Sequence, residues 1–324
     1  MSNYKVSIIG CGDIGFRFDR GRDGDGALTH FKAFNDDKRF EIVSVCEISK
    51  TIRKEIEQEF KLPTYEDLET MLSDHPVDVI VVATNDDSHS GILNKIIKFR
   101  PKLVFCEKPL ALNTEDVESI IELYKKNKIH LQVNYTRRFL DEFIEIENIV
   151  KEKKIGELES ITFYYSRGLT HNASHYLDLV NWYIGGTEKN LIKVSTKVGI
   201  SEEDDTVSFD MIFANGPEVR FIGLNPSKLS FAEVDFIGSK GRVKINYKNE
   251  IEKFSVTENK LFKGYSAYQL DSVTGIGFEK ALPNAVNNIF EVLEGKEKLR
   301  SPSENSIKVF ELINRIKEKE LCLN

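Results

Sequence analysis

Lys108 stands in the run VFCEKPLALN (104–113), closing an apolar strand with Glu107 before it and Pro109 after it. A lysine at such a strand end, backed by apolar residues, has its ammonium partly desolvated. That lowers its pKa toward values useful for acid–base work. Pro109 fixes the backbone that follows, and a cis Lys108–Pro109 bond is compatible with it. Adjacent strand residues point to opposite faces, so Glu107 is read either as a partner of Lys108 or as an anchor of local structure. A second group, His171, His175 and Asp178 in HNASHYLD (171–178), falls at i, i+4 and i+7 of a helix pattern, hence on one face. Two His one turn apart bind zinc, but no third ligand is evident and no metal is assigned. Packing and capping are the plainer readings of both histidines, and Asp178 reads also as an imidazole's holder.

A third group binds rather than reacts. IIGCGDIG (8–15) is G-x-G-x-x-G directly after the first strand pattern. Gly10 permits the tight turn, Gly12 lets a pyrophosphate approach the backbone, and Gly15 allows close helix–strand packing, with Asp13 and Ile14 between them. An acid should end the second strand and hold the adenosine ribose. Glu47 sits there, although 37 positions beyond Gly10 rather than the usual ~20. The glycine- and charge-rich insertion RFDRGRDGDGALTH (17–30), lying where the first helix would run, accounts for the excess. Its Arg17, Arg20 and Arg22, alternating with Asp19, Asp23 and Asp25, read first as a solvated loop and second as a lid. A carboxylate at 47 favours NAD. Ser49 and Lys50 beside it leave NADP open.

These groups need a scaffold. Runs 5–10, 41–47, 77–84, 102–108 and 129–135 are nearly continuously apolar and rich in Val and Ile, as strands of a parallel sheet covered on both faces are. Helical periodicity over 51–60, 65–73, 88–98 and 114–127 alternates with them, and Asn113 or Thr114 is an N-cap. The fold class is therefore α/β: an N-terminal Rossmann doubly wound parallel sheet, with ligands expected at the strands' carboxyl edge where Lys108 and the glycine loop both lie. After about 135 the pattern shifts to helices near 140–153 and 172–184, then alternating strands through 257. These predict a C-terminal α+β domain with a mostly antiparallel open sheet. Two helices, 281–294 and 303–320, close the chain. The expected domains are 1–134 for NAD(P) and 135–324 for substrate and oligomerisation.

Composition narrows the classes. A chain of 324 residues with 40% hydrophobic and 30% charged residues is an ordinary globular protein long enough for two cores. No apolar run approaches the ~20 residues of a membrane span. A net charge of −7 without a basic cluster argues against nucleic acid. Cys11, Cys46, Cys106 and Cys322 are sparse and form no CxxC, so free thiols in a reducing cytoplasm are expected, and no leader segment is expected before the first strand.

GCGDIG, ATNDDSH (83–89), CEKPLALN (106–113), VNYTRRF (133–139), SHYLDLVNW (174–182) and VDFIGSKGRVKI (234–245), in this order, resemble the Gfo/Idh/MocA family of glucose–fructose-oxidoreductase-like dehydrogenases over nearly the whole chain. RGLTHNASH (167–175) is similar to members from surface-polysaccharide and unusual-sugar pathways. The resemblance implies that Lys108 contacts the reacting hydroxyl, that His175 assists from the second domain, and that hydride passes between a sugar, nucleotide-sugar or cyclitol carbon and the nicotinamide. It also implies that Thr84, Asn85 and Asp86 pass beside the nicotinamide ribose, and Glu107 and Lys108 are counted with them as cofactor contacts. His89 belongs to the same motif or caps the next helix. The family pattern D-x-G-x-H-x-x-D is met at His175 and Asp178, while His171 replaces the first aspartate and Ala173 the glycine. Asn172 and Arg138 join His175, Asp178 and Lys108 as substrate contacts, Arg138 equally as an interdomain ion pair, and His30 is a further candidate near the ligand. A homodimer or homotetramer through the C-terminal sheet is expected. Two other functions use the same residues: a non-catalytic NAD(P)-binding regulator, and a redox-neutral lyase or hydrolase.

Overall fold

Six short apolar strands lie side by side in one parallel sheet of a computed structural model, which describes residues 3–197, 204–214, 216–225, 227–228 and 232–320. They are β1 (Tyr4–Ile9), β2 (Phe40–Cys46), β3 (Thr64–Tyr65), β4 (Val79–Val82), β5 (Leu103–Cys106) and β6 (His130–Val133), in the order β3-β2-β1-β4-β5-β6. Every residue of β4 and β5 is buried, which is why these runs carry no polar alternation. The connecting helices are α1 (His30–Asp36), α2 (Lys50–Phe60), α3 (Leu68–Asp74), α4 (His89–Ile96) and α5 (Thr114–Asn127). Their starts follow the side-chain chemistry: Thr29, Ser49, Asp67 and Asn113 each accept a hydrogen bond from a first-turn amide. β3 and α1 are additions to the expected elements.

The first helix is split. After Gly12 the chain makes one helical turn, Phe16 N–H donating to Gly12 C=O at 2.9 Å, and then loops out. It resumes at α1, where His30 N–H donates to Ile14 C=O and Phe31 N–H to Gly15 C=O, both at 3.0 Å. The insertion between is largely solvated, with Arg17, Arg20, Asp23 and Asp25 exposed, but Asp19 ties it down. The Asp19 carboxylate accepts from Leu28 N–H, Thr29 N–H and the Thr29 hydroxyl, and pairs with Arg22, while Arg20 pairs with Glu59 of α2. A turn-former's side chain satisfying loop amides explains why so glycine-rich a segment holds one path.

The second sheet follows α6 (Asp141–Lys151). It comprises β7 (Leu158–Tyr165), then, after α7 (Ser174–Tyr183), β8 (Leu191–Lys197), β9 (Val207–Ile212), β10 (Glu218–Gly223), β11 (Glu233–Gly238), β12 (Gly241–Ile245), β13 (Glu250–Glu258) and β14 (Ser266–Gly275). The order is β14-β13-β12-β11-β7-β10-β9-β8, antiparallel except for β7 beside β10. One face carries Phe163, Phe209, Phe221 and Phe236 in mutual ring contact, and the burial alternates strictly along β11 and β12. The chain closes with α8 (Ala281–Leu293) and α9 (Glu304–Glu320).

Two compact units result: 1–140 with 277–307, and 141–276 with 308–324. The division expected at 134 differs chiefly at α8. Its stripe of Leu282, Ala285, Val286 and Ile289 is buried in the same core as Val6, Ile8 and Phe34 of the first unit. Periodicity reveals that a helix buries a face, not which core receives it.

Candidate functional site

Gly10 ends β1 at φ +89°, and a Cβ there would lie 2.5 Å from Ala83 C=O, so only glycine fits. A Cβ at Gly15 would lie 2.3 Å from Gly10 C=O, the close packing expected of the third glycine. Gly12 is different: a Cβ would meet nothing within 4 Å. The protein itself does not require glycine at 12, and the open space on that side suits an approaching pyrophosphate. Asp13 is exposed and Ile14 packs on the core beneath the turn.

A cleft of about 520 Å³ runs from this loop along the sheet edge, lined by Gly10, Gly12, Glu47, Ile48, Ile52, Glu66, Asp67, Thr84, Asn85, Asp87 and Ser88 among others. Glu47 stands in it with its carboxylate accepting from Cys11 N–H at 2.7 Å and Ser49 N–H at 2.8 Å. Two backbone donors fix the acid between the glycine turn and α2, at the place a ribose diol would take. Arg53 is turned away to the carbonyls of Glu47 and Ile48 and to the Glu66 carboxylate. Of the strand-end residues, Thr84 and Asn85 line the cleft, Thr84 Oγ1 accepting from the Ser88 hydroxyl at 2.7 Å. Asp86 opens the short 3-10 turn beyond, and the lining there comes from Asp87 and Ser88. Donor set and open backbone together fit NAD.

Lys108 is half-buried after β5 and is joined to Pro109 by a cis peptide bond. Two buried side chains organise the backbone around it. His89 Nδ1 lies 2.7 Å from Pro109 C=O and Nε2 3.1 Å from Thr84 C=O. Carbonyls only accept, so both ring nitrogens donate and the imidazole is an imidazolium. Burial works against that charge, but Cys106 and the two carbonyls outweigh it and push the pKa up to about 10. His89 therefore clamps the end of β4 to the turn after Lys108, its ring nitrogens both spent on backbone.

Glu107 is held from the other side: His30 Nε2 and Asn134 Nδ2 each lie 2.7 Å from its Oε1. Burial alone would raise its pKa, but the hydrogen bonds and charges around it hold the carboxyl below its ordinary range. His30, a loose candidate by sequence, is thus Glu107's partner, and the pair answers the question of Glu107's direction. No spacing signal links residues 77 apart. A register does: Phe105 pairs with Gln132 in the sheet, so Glu107 and Asn134, each two residues on, share a face.

In the second unit, the three residues expected on one helix face divide. His171 lies in a π-helical turn, Leu169–Ala173, and is exposed. His175 is half-buried on α7, and Asp178 on the next turn is buried. The wider turn breaks the 3.6-residue spacing that the i, i+4, i+7 reading assumed. Asn172 Nδ2 donates to Ser166 C=O at 2.8 Å. Asp204, which no spacing marked, accepts from Thr170 N–H at 2.8 Å and His171 N–H at 2.7 Å, and a Cβ at Gly168 would lie 2.0 Å from its carboxylate. A carboxylate from a distant segment thus sits at the residue that replaces the usual aspartate. Arg138 is buried in the first unit. Among the described residues no group of three or more His, Cys, Asp or Glu side chains is placed to hold a metal ion, and no helix is long and apolar enough to cross a membrane.

Residues 4–135 match the sequence model of the oxidoreductase family with NAD-binding Rossmann fold. An inositol 2-dehydrogenase/D-chiro-inositol 3-dehydrogenase of Lactiplantibacillus plantarum is 28% identical over 207 residues, covering 60% of this chain and 56% of that enzyme. The chain thus matches little more than half the length of such relatives. Among solved structures, an NAD-binding protein from Listeria innocua superposes with TM-score 0.77 at 21% identity, over 100% of this chain and 96% of that one. The WlbA dehydrogenase from Bordetella pertussis, in complex with NADH and UDP-GlcNAcA, superposes with TM-score 0.74 at 17% identity, over 98% and 96%. Both share the fold.

Proposed function

We propose that this chain, whose residues 4–135 belong to the Gfo/Idh/MocA oxidoreductase family, is an NAD-dependent dehydrogenase acting on a hydroxyl-bearing carbon of a sugar, nucleotide sugar or cyclitol. The observation that carries the reading is the glycine turn with Glu47 fixed beside it, on the sheet edge that also ends at Lys108. Glu47 retains lone pairs for ribose hydroxyls and places negative charge where NADP carries a phosphate, so NAD is the cofactor preferred. When bound, the nicotinamide supplies a hydride acceptor. Lys108 takes the hydroxyl proton in that direction and returns it in the other. His175 is the second acid–base group by resemblance to the family, with Asp178 beside it in sequence, His171 in the aspartate's position, and Arg138 and Asn172 as substrate contacts. The substrate class rests on the inositol dehydrogenases among the relatives and on the nucleotide sugar in the WlbA structure.

Cys11 and Cys46 are buried thiols, burial raising Cys46 to about 12, and Cys106 is likewise free. Buried thiols outside any disulfide suit a reducing cytoplasm. Cys322 lies outside the described residues. Self-association through the second sheet is part of the same reading.

The test follows nicotinamide absorbance with a panel of cyclitols, free sugars and nucleotide sugars, in both redox states, for wild type and Lys108→Met. Substrate-dependent turnover, reduced at least 10²-fold in the variant with NADH binding retained, is expected. Undiminished turnover in Lys108→Met sinks its role. Tight NADH binding with no turnover in either protein points to a regulator.

A further inference from the structure

The buried face beneath Lys108 carries more polar chemistry than strand packing needs. His30 is fully buried, its ring edge-on to Phe105 at 4.9 Å, and spends Nε2 on Glu107. Its Nδ1 has no hydrogen-bond partner among the described residues, nor has Oδ1 of the buried Asn134. Buried polar atoms without partners are costly and are retained where something else is gained. Meanwhile one oxygen of Glu107 receives two 2.7 Å contacts, from α1 and from the residue after β6. The gain is a fixed carboxylate next in sequence to the lysine.

We propose that His30 and Asn134 are positioning residues for Lys108: they immobilise Glu107 as a half-buried carboxylate whose fixed negative charge sets how firmly Lys108 holds its proton. This rests on the reading of Lys108 as the acid–base group. The charges around the pair have distinct sources. Glu107 faces His30 from α1 and Asn134 beyond β6, while the imidazolium of His89 on α4 faces Pro109 C=O and Cys106. Lys108 in turn helps to hold Glu107 ionised, so the interaction is mutual. In a partly desolvated site a neighbouring charge moves a titration by about one unit.

Competitive acetylation reads this without any substrate. Intact protein is labelled with acetic anhydride across pH 7 to about 11, a range spanning ordinary lysine titration, and the Lys108 peptide is quantified by mass spectrometry. Glu107→Gln is expected to shift the Lys108 labelling midpoint down by about one pH unit. His30→Leu and Asn134→Ala each remove one donor and shift it in the same direction by less, and His30→Gln, which keeps a donor, restores part of the difference. Identical midpoints in wild type and a folded Glu107→Gln protein overturn the proposal. Should Glu107→Gln fail to fold, Asn134→Ala carries the test, and an unmoved midpoint there overturns it equally. The two readings separate cleanly: turnover surviving in Lys108→Met refutes the dehydrogenase role, whereas an unmoved midpoint refutes the positioning role alone.

Discussion

Gly12 and Gly15 are one residue type in one motif, yet they answer to different constraints. A Cβ at 15 collides with Gly10 C=O at 2.3 Å, whereas at 12 it meets nothing. Gly12→Ala is therefore expected to melt within about a degree of wild type and to lose NADH affinity at least tenfold by fluorescence titration, because the methyl occupies space left to the pyrophosphate. Gly15→Ala is expected to lose roughly 2 kcal/mol or more of stability in denaturant titration, from backbone displaced at the turn. Equal melting points for the two would contradict the separation. His89 belongs to neither class. His89→Leu leaves two buried carbonyls without donors and should cost roughly 3 kcal/mol. The folded imidazole's pKa is raised from 6.5 to about 10, so its contribution is complete below about 6.5 and is lost as pH rises through about 10. The stability gap between wild type and His89→Leu should then shrink between pH 7 and 10, and a gap constant over that window would refute the clamp. The placement of the glycines, Glu47 and Lys108 was legible because each obeys a local rule of strand end and turn. His30 against Glu107 and the Asp204 carboxylate at the His171 amide were not, since groups 77 and 33 positions apart meet only through the fold.

At the scale of elements, the split first helix gives a prediction that the sequence alone would not frame. His30 N–H bonds to Ile14 C=O and Phe31 N–H to Gly15 C=O across the loop. Excising residues 17–28 would make these i to i−4 bonds, joining the turn after Gly12 to α1 in register. The excised protein is expected to fold, with slowed amide exchange across 30–36, and to lose no more than roughly 3 kcal/mol. That loss is the Asp19 network and the docking of Ala27 N–H on Glu279 C=O. A shortened chain without exchange protection there would refute the continuity. The insertion was visible in composition, but its charges concealed that Asp19 caps its return, because a charge pattern does not say which amides it satisfies. β14 was missed for a related reason: none of its ten residues is buried, so the strand carries no hydrophobic alternation to detect. The π turn at 169–173 likewise lay beneath an ordinary helical pattern.

For the whole molecule the informative surface is the one that periodicity could not explain. Along β14, Tyr268, Leu270 and Val273 stand 45%, 47% and 50% exposed, and Leu261, Phe262 and Tyr265 between β13 and β14 are more exposed still. Edge strands ordinarily carry charge or proline against unwanted pairing. Here Arg242, paired to Asp235, lies over the rings of Phe254 and Tyr268 at 5.5 and 5.7 Å, so the face is a mixed aromatic and ionic one. That composition, apolar and aromatic at the centre with a charged pair among the rings, is what self-associating surfaces carry. Light scattering of the wild-type chain is therefore expected to give a dimer or tetramer mass at micromolar concentration. Leu270→Glu with Val273→Arg should reduce it to a monomer that still binds NADH, because these residues lie in the second unit and the glycine cradle in the first. A wild-type monomer under the same conditions would remove oligomerisation from the proposed function. An unchanged oligomer in the double variant would instead move the interface off β14.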